Sequence, residues 1–268
     1  MELEDTFADV IGKAQRGKGL DDAGLAKRAR VSKELVAGLK EGIFDEGGAV
    51  AVAGVLGLNP VALVALGQGE YPTSAETGVV GVETFTTAFD GMRVNAYLVW
   101  NEATRAGIAF DTGTDCGPML RFVAERGIRV PLILLTHTHD DHVADLARLR
   151  EGTGAHAFVS AAEPLAGCET FSGDHRFKIG GLDVETRATT GHSVGGTTYV
   201  IAGLARPVAI VGDALFAGSM GGGFVSYADA LRTGREAIFT LPEETVLCPG
   251  HGPRTTVGHE RKHNPFFA

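Results

Sequence analysis

The sequence predicts a layered α/β domain that follows a small all-α domain. Apolar residues at helical spacing run through the first 70 positions, whereas short β-type runs alternate with helical stretches after Pro72. The 268 residues are 44% hydrophobic and 21% charged, which is typical of a soluble protein that buries a sizeable core. We therefore expect a helical domain at residues 1–70, a linker at 71–78 and the larger domain at 79–268.

Start and stop signals mark the helices of the first domain. Apolar residues fall at helical spacing between residues 22 and 30, and Ser32 is a candidate N-cap for the next helix. A third pattern runs from about residue 46 to 58. Asn59-Pro60 then supplies an N-cap followed by a proline at the first helical position. A glycine-containing segment that ends at Pro72 closes the helical run.

Strands alternate with helices in the larger domain, which is typical of sheets covered by helices. Helices are predicted at residues 118–125, 141–150 and 227–241. Strands are predicted at residues 79–85, 94–100, 108–110, 130–135, 182–187, 197–201, 208–211 and 245–247.

Charge and hydropathy limit the classes of partner. The net charge is −9, from 24 Lys+Arg against 33 Asp+Glu, which argues against broad nucleic-acid binding because that needs clustered basic residues. The acidic N-terminus does not resemble a signal peptide, and no apolar stretch reaches the ~20 residues of a membrane span. We expect a cytoplasmic protein with a small-molecule substrate and no membrane partner; a homo-oligomer is left open.

The strongest functional pattern is the segment THTHDDH at residues 136–142, directly after an apolar run. Residues two apart on an extended chain point the same way, so His137 and His139 can share one ion. A helix that begins near Asp141 would carry Asp141 and His142 on its first turn, aimed at a neighbouring position. Crowded histidines and carboxylates are costly unless a cation organises them, so the segment predicts a metal site.

Three further candidates lie beside glycine near the carboxyl end of a predicted strand, where folds built from strands place well-supported sites. They are His192, Asp213 and His251. Together the candidates make five histidines and two aspartates, a set that suits two divalent ions, zinc first, with iron or manganese as alternatives. With three or four protein ligands for each ion, coordination positions remain for water.

The HxHxDH run resembles the signature of the metallo-β-lactamase superfamily, and the later candidates follow in its order and spacing. The resemblance implies an αββα sandwich with metals at one edge. The segment 111–113 (Asp-Thr-Gly) resembles an element that supports the metal loops. The resemblance also implies two ligand triads and a bridging aspartate. The implied ligands are His137, His139 and His192 for one ion, Asp141, His142 and His251 for the other, and Asp213 between them.

The same resemblance implies a hydrolase. Water bound by two such ions has a pKa near ~7, so a bridging hydroxide can attack an acyl, lactone or phosphoester bond. The candidate catalytic residues are Asp141, which orients the nucleophile, and the bridging Asp213. The complete ligand set and the chain length most resemble glyoxalase II, the hydroxyacylglutathione hydrolases, which act on glutathione thioesters.

One segment departs from the glyoxalase II pattern. That family carries a basic residue and a tyrosine after the bridging aspartate, whereas residues 214–225 contain neither. We expect Met220 and Phe224 to lie at the rim of the site and to favour uncharged or apolar acyl groups. Binding of glutathione would require Arg254, Arg261 or Lys262 to reach the site.

Three other functions stay open. One is a persulfide dioxygenase-like enzyme of related fold, which would hold a single iron through two histidines and one aspartate. Another is a nuclease of the same superfamily, which the acidic composition disfavours. The third is a DNA-binding regulator in which the metal-binding domain acts only as a sensor.

The helical domain motivates the third alternative. Residues 20–66 resemble a Cro/repressor-type helix-turn-helix, although Arg30 stands where a turn glycine is usual. The motif positions are Leu25-Ala26, Val31-Ser32 and Leu35-Val36. Residues 1–70 carry eight Lys+Arg against eleven Asp+Glu, so we favour a dimerisation or docking module over DNA binding. On that basis the module is expected to be unnecessary for the chemistry.

Overall fold

The computed structural model describes residues 2–72 and 77–268, so residues 73–76 of the predicted linker lie outside the described residues. Within the described residues the chain forms ten helices and twelve strands. The helices are α1 (Phe7–Gly17), α2 (Asp22–Ala29), α3 (Lys33–Lys40), α4 (Glu46–Leu56), α5 (Pro60–Gly67), α6 (Gly117–Arg126), α7 (Asp140–Val143), α8 (Leu146–Thr153), α9 (Tyr227–Ala237) and α10 (Val257–His263). The strands are β1 (Val82–Phe89), β2 (Met92–Trp100), β3 (Ala106–Phe110), β4 (Arg129–Leu134), β5 (His156–Ser160), β6 (Glu169–Phe171), β7 (Arg176–Ile179), β8 (Leu182–Ala188), β9 (Thr197–Ala202), β10 (Val208–Gly212), β11 (Val246–Pro249) and β12 (Thr255–Thr256).

Two six-stranded sheets form the centre of the molecule. The first has the order β1-β2-β3-β4-β5-β6, antiparallel from β1 to β3 and parallel from β3 to β6. The second has the order β12-β11-β10-β9-β8-β7, in which only the β10–β11 pair is parallel among the described strands. The predicted α/β sandwich is confirmed.

Three buried clusters hold the sandwich together. Phe110 and Tyr199 belong to the cluster between the two sheets, and their ring centroids are 5.4 Å apart. Met119 and Leu149 of α6 and α8 cover the outer face of the first sheet. Val257 of α10 belongs to the cluster outside the second sheet. Burial of apolar side chains on both faces fixes the sheets and leaves the loops at their edges free to carry a site.

The N-terminal helices begin where the sequence predicts. Ser32 and Asn59 cap α3 and α5, because their side chains accept hydrogen bonds from backbone N–H groups three positions on. Arg30 adopts φ 58°, the left-handed conformation that favours glycine. The dimerisation or docking role, which we favour over DNA binding through α3, stays a prediction.

The helical region shares its core with the sandwich. Val10 and Ile11 of α1 are fully buried in one cluster with Met220, Ala230 and Phe266 of the larger region. We therefore propose that residues 71–78 mark the change from the helical region to the α/β sandwich. This boundary does not separate two independent cores.

Some predicted bounds are wrong for local reasons. The helix predicted at residues 141–150 is divided into α7 and α8, because Asp145 leaves the helical conformation and accepts a hydrogen bond from the Cys116 N–H at 2.8 Å. The helix α9 ends at Ala237, earlier than predicted. The sequence does not predict the strands β5, β6, β7 and β12, since each is only two to five residues long and contains polar side chains. None of the described helices has the length and apolar character that a membrane span requires.

Candidate metal centre

The candidate ligands lie on loops that follow strands at one edge of the sandwich. The segment 136–142 follows β4, and Asp141 and His142 stand on the short helix α7, as predicted. His192 follows β8, Asp213 follows β10 and His251 follows β11. The adjacent strands β10 and β11 run parallel, so their carboxyl ends bring Asp213 and His251 together.

Two glycines allow these loops to approach one another. Gly212 has φ +49°, and a Cβ there would lie 2.7 Å from the Thr136 hydroxyl oxygen. A Cβ on Gly250 would lie 2.2 Å from Asp213 Oδ1 and 2.6 Å from His142 Cε1. Real Cβ atoms essentially never come so close, so side chains at these positions would displace the site.

Three imidazole nitrogens converge in the first predicted triad. His139 Nδ1 lies 3.1 Å from His137 Nε2 and 3.0 Å from His192 Nε2. Tetrahedral coordination at the usual zinc–nitrogen bond length separates nitrogens by about 3.3 Å. The spacing therefore matches three ligands that share one ion.

The second predicted triad also converges. The ligand atoms of Asp141, His142 and His251 all lie within 4.8 Å of one another. His251 Nε2 is 3.3 Å and His142 Nε2 is 3.6 Å from Asp141 Oδ2. All three residues are buried, so the group is a second place where a cation would be well enclosed.

Asp213 lies between the two triads. Its Oδ2 is 3.4 Å from His192 Nε2 and 3.5 Å from His251 Nε2, while its Oδ1 is 3.3 Å from His142 Nε2. One carboxylate therefore contacts a histidine of the first triad and two of the second. The structure brings all seven candidate residues to one place.

Two buried atoms at this centre have no hydrogen-bond partner among the described residues. They are Nε2 of His142 and Oδ1 of Asp213. Such unsatisfied buried atoms are rare because each costs roughly 1–3 kcal/mol. A divalent cation would satisfy both, and the imidazole and carboxylate donors are those that zinc, iron and manganese accept. The residues therefore fit divalent metal ions.

Outer hydrogen bonds aim the imidazole rings at the centre. His142 Nδ1 lies 2.9 Å from Asp111 Oδ2, and the same carboxylate accepts the N–H and O–H of Thr136 at 2.8 Å each. His192 Nδ1 lies 2.9 Å from the Gly222 carbonyl, and His251 Nδ1 lies 2.7 Å from the Arg93 carbonyl. Such contacts fix the ring orientation and leave Nε2 for the metal.

Glu163 is a supporting residue that the sequence pattern did not reveal. Its Oε1 accepts the N–H and O–H of Thr138 at 2.9 and 2.7 Å, and its Oε2 accepts the Gly195 N–H at 2.7 Å. Burial acts to raise the pKa of Glu163, but these hydrogen bonds outweigh it and lower the pKa. An ionised Glu163 thus ties the 137–142 loop to the loop that carries His192.

The two triads differ electrostatically. Burial lowers the pKa of His137 and of His192, which leaves both rings neutral at neutral pH. Burial acts in the same direction on His142, but the carboxylates of Asp213 and Asp111 raise the pKa of His142 well above the usual value. Hydrogen bonds to carboxylates likewise overcome burial and raise the pKa of His251 to about 10. The histidines of the second triad therefore hold protons when no metal is bound, and a metal ion that binds there would release them.

The centre opens into a cavity of about 520 Å³. Phe224 lines it and is 74% exposed, as predicted for a rim residue. The prediction for Met220 is wrong, because this side chain is 1% exposed and packs into the core shared with the helical region. Phe89 and Met92, at the turn between β1 and β2, add apolar surface that the sequence pattern did not identify.

Two of the three cations considered above for glutathione binding make their contacts elsewhere. Arg254 donates to the Thr84 hydroxyl and to the Val82 carbonyl. Arg261 pairs with Glu243 at 2.9 Å. Neither arginine, nor Lys262, is among the described residues that line the cavity.

The helical region reaches the cavity through three charged side chains that sequence reasoning missed. They are Glu4, Asp5 and Lys13. Lys13 Nζ pairs with the Asp5 carboxylate and donates to the Met220 carbonyl at 2.8 Å. The Ser219 hydroxyl also donates to Asp5. The segment before α1 is thus fastened to the loop that follows Asp213. These contacts lead us to propose that the chemistry depends on the helical region, contrary to the expectation from the sequence.

A family comparison identifies the superfamily. The model of the metallo-beta-lactamase superfamily matches residues 89–251, which contain all seven candidate ligands. The chain belongs to this superfamily. The helical region lies outside the matched residues.

Individual relatives are hydrolases by name. The probable metallo-hydrolase YqgX of Bacillus subtilis is 31% identical over 202 residues, covering 66% of this chain and 93% of that protein. A hydroxyacylglutathione hydrolase of Cereibacter sphaeroides is 34% identical over 160 residues, covering 58% of this chain and 61% of that protein. These similarities support a metal-dependent hydrolase.

Solved structures share the sandwich. ETHE1 from Myxococcus xanthus has a TM-score of 0.60 and 26% identity, covering 68% of this chain and 83% of that one. TTHA1623 in a di-iron-bound form has a TM-score of 0.55 and 25% identity, covering 68% of this chain and 99% of that one.

Proposed function

We propose that the protein is a dinuclear metal-dependent hydrolase that acts on thioester, ester or lactone bonds. The observation that carries the proposal is the position of Asp213, whose carboxylate lies within 3.5 Å of histidine nitrogens from both triads. A carboxylate in that position can bridge two ions, zinc in the first instance. The names of the relatives and the di-iron form of TTHA1623 support this proposal.

The chain's own residues hold and orient the reactants. When bound, two divalent ions would lower the pKa of water and polarise the oxygen of a carbonyl group. His137, His139 and His192 would hold one ion, and Asp141, His142 and His251 the other. Asp141 would accept a hydrogen bond from the attacking water and so orient it towards the carbonyl carbon. The apolar side chains at the mouth contact the acyl group.

The lining of the cavity predicts the substrate preference. Phe89, Met92 and Phe224 offer apolar contact, whereas the permanent cation among the described lining residues, Lys13, is already paired with Asp5. We expect a neutral thioester or simple lactone to be hydrolysed with kcat/KM at least equal to that for S-lactoylglutathione. Steady-state kinetics with the zinc-loaded protein test this. A hundredfold preference for the glutathione ester, about 2.7 kcal/mol of transition-state stabilisation, would contradict it.

A persulfide dioxygenase-like enzyme with one iron is the second candidate. Asp213 and the histidines around it supply the two-histidine, one-aspartate set that such an iron site would use. The similarity to ETHE1 also fits this function. About one iron per chain, together with oxygen consumption on a persulfide and no ester hydrolysis, would favour it over the hydrolase.

A further inference from the structure

The segment before α1 forms one wall of the active-site cavity. Glu4, Asp5 and Lys13 line it together with the candidate ligands Asp141, Asp213 and His251. The backbone of Glu4 is close enough to Gly252 that a Cβ on this glycine would lie 3.3 Å from the Glu4 nitrogen. The wall is therefore packed directly against the loop that carries His251.

Two of the three charges in this wall are neutralised by each other. Asp5 pairs with Lys13 and also accepts the Ser219 hydroxyl. Lys13 further donates to the Met220 carbonyl and lies 5.0 Å from the centroid of the Phe216 ring. Its side chain is 15% exposed. Lys13 thus holds the wall in place and is not free to bind an anionic substrate.

Glu4 is the third charged residue of the wall, and its carboxylate is not paired with Asp5 or Lys13. The described residues provide no hydrogen bond to its carboxylate, which is 18% exposed and whose Oε2 is 4.0 Å from His251 Nδ1. That nitrogen already has the Arg93 carbonyl as its partner at 2.7 Å. Asp140, a second exposed carboxylate, lines the same cavity. A partly desolvated carboxylate that receives no hydrogen bond from the described residues favours a ligand that brings a donor or a positive charge.

We infer that Glu4 is a specificity-determining residue that selects substrates with an ammonium or other hydrogen-bond donor on the part remote from the scissile bond. It disfavours substrates with a carboxylate there. The inference rests on the proposed function, because it assigns the substrate class of the same metal site. It also gives the helical region a part in substrate recognition.

Three small thiols that share a two-carbon spacer and differ in their terminal group test the inference. Cysteamine, 2-mercaptoethanol and 3-mercaptopropionate place an ammonium, a hydroxyl and a carboxylate group two carbons from a sulfur that binds zinc. Calorimetric binding to the zinc-loaded full chain at pH 8 gives the ratio of affinities for cysteamine and 3-mercaptopropionate. Comparing Glu4→Gln with the wild type cancels any difference in how the probes contact the metals. Glu2→Gln is the matched control, since it removes one carboxylate from an exposed position in the same segment.

The expected result is a fall in the cation-to-anion ratio of about tenfold in Glu4→Gln and of less than twofold in Glu2→Gln. An unchanged ratio in Glu4→Gln, or an equal loss of affinity for all three probes, would overturn the inference. If none of the probes binds the zinc-loaded wild type, the metal-site proposal fails and the inference with it. If the ratio falls as expected but no ester or thioester is hydrolysed, the inference stands and the hydrolase proposal fails.

Discussion

Replacing Asp213 by alanine is expected to lower kcat/KM by about a thousandfold or more, equivalent to about 4 kcal/mol of transition-state stabilisation. The substitution removes the carboxylate that contacts both triads, so each of the two proposed ions would lose a ligand and the spacing between them would no longer be fixed. Metal content should fall below two per chain in the same variant. Steady-state kinetics and metal analysis of the purified variant measure both effects.

The fold should survive this change. Asp213 Oδ1 has no hydrogen-bond partner among the described residues, so its removal leaves no donor that depended on that atom. Circular dichroism and thermal unfolding provide the check. Asp140→Ala is the matched control, because Asp140 lines the same cavity beside Asp141 but belongs to none of the candidate ligand groups. We expect its kcat/KM to change by less than tenfold. Wild-type turnover with two metals bound in Asp213→Ala would refute the bridging assignment.

A chain that begins at Tyr71 is expected to lose more than about a hundredfold in kcat/KM and to unfold at a lower temperature. Without the helices, Met220, Ala230 and Phe266 lose the apolar surface that buries them, at about 25 cal/mol for each Å² exposed. The loop after Asp213 also loses its bonds to Asp5 and Lys13. That loop supplies the Gly222 carbonyl that orients His192, so the first triad should loosen.

A point substitution separates the loss of the loop's hydrogen bonds from the exposure of the apolar core. Lys13→Met removes the bond to the Met220 carbonyl while α1 stays in place, and we expect it to reduce kcat/KM by about tenfold. Lys27→Met, at an exposed position on α2, should change it by less than twofold. If the chain from Tyr71 is soluble and retains wild-type kcat/KM and melting temperature, or if Lys13→Met behaves like Lys27→Met, the coupling of the two regions is wrong.

Much of the fold could be predicted from local sequence patterns. The helix signals at Ser32 and Asn59 are confirmed because capping depends on residues three positions apart. The α/β sandwich is confirmed. It was predictable because the apolar runs that follow Pro72 are long enough to identify most of its strands. Asp145 shows the limit of such patterns, since its bond to the Cys116 N–H divides a predicted helix through a contact between distant segments.

The site was predictable for the same local reasons, but its surroundings were not. A short segment holds His137, His139, Asp141 and His142, so spacing alone indicates a metal site there. Glu4 and Lys13 gave no such signal, because their place in the cavity depends on how α1 packs against the loop after Asp213. The same packing buries Met220, which a local pattern placed at the rim.

The metal content of the protein tests the central claim most directly. The full chain is purified without added metal, equilibrated with zinc at neutral pH, freed of excess metal and analysed for metal per chain. We expect two ions per chain for the wild type, with ester or thioester hydrolysis that rises with the second equivalent. One ion per chain at saturation, or full hydrolysis with a single ion bound, would contradict it.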